Sequence, residues 1–161
     1  MTERNHEMEP EMYDPFLAGN ERLEKCILEF YHSEQRADPR KVLYCLYQRM
    51  MENGHFLIPT IGDIASEEGC TFPFMEWRAP DGTVRRYMPV FTNRAELEKG
   101  ESEEKHGILS FFMDTYLENV LNFSDASGVV INPFGCSFTM ENEVIRILTE
   151  AVHGGRGKNG T

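Results

Sequence analysis

Apolar residues return along this chain at two different periods, and the change between them divides it. After Asn20, which the pattern makes an N-cap, Leu23, Cys26, Ile27, Phe30 and Tyr31 fall at helical spacing and predict an amphipathic helix. Asp38-Pro39 opens a second helix, whose stripe is Val42, Leu43, Leu46, Tyr47 and Met50, and Asn53-Gly54 ends it. Two such helices with a short connection predict an antiparallel pair laid on a common core. From His55 onward the period shortens. "HFLIPT" (55–60) predicts a strand ended by Pro59. "TFPFMEWRAPDGTVRRYMPVFT" (71–92) predicts two strands around Pro80-Asp81-Gly82, a turn in which glycine admits a positive φ. Pro73 and Pro89 remove ladder donors and predict bulges or an edge there.

The second half alternates the two periods. Asn93 and Glu96 have capping-box spacing and open a short helix, 94–99, that stops at Gly100. "ESEEK" reads as a solvated loop and "GILSFFM" as a strand. Asp114 caps a helix striped by Tyr116, Leu117, Val120 and Leu121. Gly128–Asn132 reads as a central strand and Cys136–Phe138 as a short one. Thr139 caps a last helix striped by Val144, Ile145, Leu148 and Val152. The order predicts an α+β fold: a single mixed β-sheet with an N-terminal helix pair and further helices packed on it. Residues 1–18 are acidic and without period, a flexible arm on which Tyr13, Phe16 and Leu17 dock. The domain runs over 19–153, and "GGRGKNGT" (154–161) is a flexible tail.

Composition narrows the trade. At 161 residues, 40% apolar and 27% charged, the chain suits one globular domain with its own core. A net charge of −11 argues against nucleic acid and anionic membrane as partners, because such binding rests on neutralising phosphates. No apolar run approaches the roughly 18 residues of a membrane helix, and the N-terminus lacks a signal-peptide pattern. Cys26, Cys45, Cys70 and Cys136 show no regular spacing. A reduced cytoplasmic protein is expected.

Reactive chemistry leaves no local signature. The five histidines form no H-x-x-x-H, so no metal is expected. The tail misses the phosphate-loop spacing, and no G-x-S-x-G occurs; no cofactor is expected. Glu76, beside Phe72 and Phe74, is the least bland acid and reads as surface. The remaining signal is aromatic. If helices cover one face of the hairpin, Trp77, Tyr87 and Phe91 stay partly open on the other; the alternative is that both faces are covered. At "INPFG" (131–135), Pro133 is expected to hold Asn132 extended, Phe134 to fold back and Gly135 to reverse the chain. That corner reads first as scaffold and second as a ligand-touching strand end.

The runs "HFLIPT", "RYMPVFTNRAELEKG" and "SGVVINPFG" together resemble the SseB N-terminal domain family. The residues that carry the likeness are Leu57-Ile58-Pro59, Val90-Phe91-Thr92, Glu96-Leu97 and Ile131-Asn132-Pro133, within residues 20 to 150. The resemblance implies a cytosolic bacterial α+β domain and brings no catalytic residues. The family's namesake continues into a second domain, which this chain is expected to lack. The expected function is a non-enzymatic protein-interaction module, with Trp77, Tyr87, Phe91, Thr92, Asn132 and Phe134 as its surface and a protein as its partner. The alternatives are a small-metabolite (amino acid) sensor, suggested by the family's name, and an enzyme with a non-local site drawn from Cys70, Cys136 or Glu76.

Overall fold

The computed structural model describes residues 15–33, 38–62, 70–100 and 107–159. Most of the acidic arm and the "ESEEK" loop lie outside these. Helices α1 (Asn20–His32) and α2 (Arg40–Met51) form as their stripes predict, burying Leu23, Cys26 and Ile27 on one and Val42, Leu46 and Met50 on the other. Asn20, however, is not the N-cap. Gly19 holds that place at φ +101°, and the Asn20 side chain is buried in the interior. Asp38 accepts the Arg40 backbone N–H at 3.1 Å ahead of α2. Past α2 the chain turns through Asn53 at φ +64°.

Strand β1 (His55–Gly62) follows, then β2 (Cys70–Thr71), β3 (Met75–Arg78) and β4 (Val84–Val90). The β3–β4 turn has Gly82 at φ +93° and Asp81 accepting the Thr83 N–H. Pro73 lies ahead of β3 rather than within a strand. Helix α3 (Arg94–Glu98) starts where Asn93 accepts the Glu96 N–H at 2.8 Å. Strand β5 (Gly107–Phe112), helix α4 (Met113–Val120), strands β6 (Gly128–Ile131) and β7 (Phe138–Glu141), and helix α5 (Asn142–Asn159) complete the chain.

Four expectations change here. Thr139 does not cap α5; it lies in β7, because Phe138 and Met140 on either side of it alternate into the core. Asp114 sits inside α4, where its carboxylate takes the Arg156 guanidinium. That same arginine donates to the Met50 carbonyl and to Asn53, so α5 runs on as a docked helix where a tail was expected from residue 154. And the strands make two sheets rather than one: β2-β1-β5 and the mixed sheet β3-β4-β6-β7.

Two prolines explain the division. Leu57 and Phe91 exchange both backbone hydrogen bonds, at 2.8 and 2.9 Å, so β1 meets the end of β4 at one point. Two residues further along an antiparallel ladder the next exchange falls at Pro59 and Pro89, and neither has an N–H to give. In the other direction the His55 N–H goes to the Phe16 carbonyl. The junction therefore stops after one pair.

Side-chain parity places the core. Phe56 and Ile58 on β1, Met88 and Val90 on β4, Val129 and Ile131 on β6, and Phe138 and Met140 on β7 all join one cluster with the stripes of α1, α2, α4 and α5. Those four helices thus share one side of the strands. α3 buries none of its residues.

Candidate functional site

The side of the strands turned away from the helices carries the alternate residues. Directly opposed partners share a face, and the registers Met75↔Tyr87, Trp77↔Arg85, Tyr87↔Gly128, Pro89↔Val130, Val130↔Thr139 and Gly128↔Glu141 run across the four-stranded sheet. Leu57↔Phe91 carries the same face over to β1, and His55↔Phe112 and Leu57↔Ser110 carry it on to β5. Leu57, Phe91 and Val130 are buried yet stand outside the main core cluster. They form a thin second apolar layer.

Aromatic groups thicken that layer in two places. At one end Phe16 stacks on His55, with ring centroids 4.3 Å apart, and Phe112 meets His55 edge-on at 4.6 Å. In the middle Phe134 stacks on Phe91 at 5.8 Å. Trp77 stands at the far end, 52% exposed; Phe16, Phe134 and Phe112 are 49%, 44% and 37% exposed. Among the described residues, these and Ile61 are large apolar side chains left open on the face away from the four core helices, where Phe134 lies beside Gly100, just past the end of α3. Around Trp77 the rim is polar: Arg85 donates to Glu141 at 2.9 Å, and Tyr87 donates its hydroxyl to the same carboxylate at 2.5 Å. Burial, followed by that bond to Glu141, raises the Tyr87 pKa, so the phenol stays protonated and donates.

The six residues expected at the surface therefore separate. Trp77, Tyr87 and Phe91 do share the face opposite the helices, but Phe91 is covered by Phe134. Phe134, expected to fold back onto the core, is half exposed above it. Thr92 and Asn132 are buried and face each other: Asn132 Oδ1 accepts the Thr92 N–H at 3.0 Å and its Nδ2 donates to Thr92 Oγ1 at 2.9 Å. Asn132 is not extended. Its φ is +53°, held there by the Thr92 bonds and by a turn in which Gly135 N–H returns to the Asn132 carbonyl at 3.1 Å. With both side-chain ends occupied, Asn132 is a structural corner.

A buried polar belt continues from this corner, and periodicity gave no hint of it. Asn20 Nδ2 donates to the His55 and Thr92 carbonyls, while its Oδ1 accepts from Arg49 Nε at 2.8 Å. The Arg49 guanidinium also reaches Phe16 O and Glu52, and Glu52 accepts a fork from Arg22. Hydrogen bonds from Arg22 and Arg49 hold the Glu52 carboxyl below its ordinary range. Gly19 and Gly54 make room for the charge, since a Cβ on either would lie under 3 Å from it. Those two glycines were the available signal.

Elsewhere, Glu76 pairs with Arg86 at 3.0 Å on the surface, as its sequence setting suggested. An open groove of about 500 Å³ lies beside the edge strand β7, between the end of α1 and the start of α2; Phe30, Tyr31, Leu43, Phe138 and Met140 line it. Near its rim Cys136 Sγ is 3.8 Å from His32 Nε2. No three His, Cys, Asp or Glu side chains among the described residues are placed to hold a metal ion, and no described helix is long and apolar enough to cross a membrane.

No curated protein and no solved structure matches this chain. The SseB protein N-terminal domain matches residues 31–146, well over half of the chain and every strand among the described residues. That span takes in the β1 proline junction, the hairpin and the Asn132 corner, and the chain belongs to the SseB N-terminal domain family.

Proposed function

We propose that this domain is a non-catalytic, cytosolic protein-interaction module that receives its partner on the face of the sheet turned away from the four core helices. The observation that carries the reading is the placement of four helices on one side of the strands, which leaves Trp77, Phe134, Phe112 and Phe16 open on the other. Aromatic side chains with a tryptophan and an arginine near the rim have the composition of binding hot spots. A chain with net charge −11 favours a partner whose apolar patch is ringed by basic groups.

Affinity capture with three variants tests this. Trp77→Ala and Phe134→Ala should each release a partner that wild type retains stoichiometrically. Ile147→Ala, on the opposite side and 66% exposed on α5, should retain it. A partner kept by both aromatic variants and lost from Ile147→Ala would overturn the reading.

The β7 groove supports a second reading, as a small-metabolite sensor, because its volume falls within the roughly 300–1,000 Å³ of ligand sites. A ligand that binds only the folded form raises the thermal midpoint. No shift with serine and related amino acids at millimolar concentration would count against it.

A further inference from the structure

Cys26 and Cys45 lie on facing sides of α1 and α2, 19 residues apart in sequence, with their sulfurs 2.7 Å apart. That is less than about 1 Å beyond the ~2.05 Å of a disulfide bond. Both helices are anchored independently of this contact, α1 through Asn20 and α2 through Arg49 and its apolar stripe. The two thiols are therefore held together by the fold rather than meeting by chance. Cys26 is buried and Cys45 is half-buried, so a small oxidant meets Cys45 first.

We propose that Cys26 and Cys45 are a reversible thiol–disulfide site that staples α1 to α2. The oxidant is a small-molecule disulfide. The Cys45 thiolate attacks one of its sulfurs, forming a mixed disulfide and expelling one small thiolate. Cys26 sulfur then attacks the Cys45 sulfur, its proton leaves to solvent, and the second small thiolate departs. Two protein thiols become one disulfide while the small disulfide is reduced to two thiols, a two-electron exchange in balance. In a reducing compartment the dithiol is the resting form, and such disulfides are transient or redox-sensing.

The second step has a built-in brake. In the dithiol, burial first and then the hydrogen bond to Cys45 push the Cys26 thiol up to about 11, against the Lys41 charge; once Cys45 is in the mixed disulfide its hydrogen bond is gone and burial still holds Cys26 raised. Lys41 and Glu29 themselves pair at 3.3 Å. Closure should accelerate as pH rises, because the attacking form of Cys26 becomes more abundant. The staple would fix the spacing of the two helix ends whose Tyr31 and Leu43 wall the β7 groove.

The test uses the whole chain, reduced, freed of reductant and incubated with oxidised glutathione. Intact mass should fall by about 2 Da for the two hydrogens lost, a peptide map should join Cys26 to Cys45, and dithiothreitol should reverse both. The closed form should melt several degrees higher, as a cross-link of this loop size implies. Cys26→Ser should stop at the mixed disulfide and carry one glutathione on Cys45. A cross-link through Cys136 or Cys70 instead, or Cys26 and Cys45 both left free while Cys136 reacts, would overturn the proposal.

Discussion

Replacing Asn132 by alanine isolates what the corner after β6 does. Thr92 is fully buried, and its backbone N–H has the Asn132 Oδ1 as acceptor at 3.0 Å. Alanine leaves that donor without an acceptor, at about 1–3 kcal/mol. It also removes the Nδ2 to Thr92 Oγ1 bond, worth about 1 kcal/mol. At φ +53° alanine further meets the left-handed penalty of about 1 kcal/mol, which asparagine tolerates better. The sum is about 3–5 kcal/mol. Asn132→Gly loses the same bonds but not the strain, although its unfolded chain gains freedom; it should cost about 0.5–1 kcal/mol less than alanine. Urea unfolding followed by far-UV circular dichroism reads these differences. With a slope of about 2 kcal/mol/M, Asn132→Ala should lower the midpoint by about 1.5–2.5 M. Thr92→Val removes only the hydroxyl and should couple to Asn132→Ala in a double-mutant cycle. An alanine variant within about 1 kcal/mol of wild type would refute the hydrogen-bond reasoning. A glycine variant less stable than alanine would refute the strain.

Arg49→Met keeps much of the side-chain volume but leaves the buried Asn20 Oδ1 without its donor, while the Phe16 carbonyl keeps the His55 N–H, so it should destabilise by about 1–3 kcal/mol by the same unfolding assay. A neutral result would show that the belt is not needed for stability. Gly128→Ala puts a Cβ 2.0 Å from the Met140 carbonyl oxygen, which is backbone and cannot step aside; a loss of about 3 kcal/mol is expected in thermal unfolding, and a loss under 1 would count against the β6–β7 register. Glu52 has a folded-state pKa held below its unfolded value of ~4.3, so its contribution is complete above that pH and disappears as pH falls through the folded value. Because the side chain is half exposed the effect stays under about 1 kcal/mol, and Glu52→Gln should flatten the acid limb of midpoint against pH; an unchanged limb would show the pairs carry nothing.

The elements that could be read along the chain are those whose signal is local. The α1, α2 and α5 stripes needed only the 3.6-residue period, the hairpin only Gly82, and α3 only Asn93 with Glu96 three residues on. Misreadings arose where a capping residue had a distant competitor. Asn20 looked like a cap, but its partners are 29, 35 and 72 positions away. Thr139 looked like a cap until Phe138 and Met140 paired with Ile131 and Val129 as a strand. Asn132 was expected to obey its proline, and two bonds with Thr92, 40 positions away, hold it otherwise.

Sequence alone determined the α+β class, the family, most of the elements and the parity that sets Trp77, Tyr87 and Phe91 on one face, because periodicity and turn chemistry act over a few residues. Only the tertiary structure decided which face the helices cover and which aromatic groups stay open above it. It also decided that Pro59 and Pro89 fall opposite each other and divide the strands into two sheets, and that Cys26 meets Cys45. These outcomes depend on which distant segments come together, and the meeting of two residues far apart in the chain leaves no periodic trace in either.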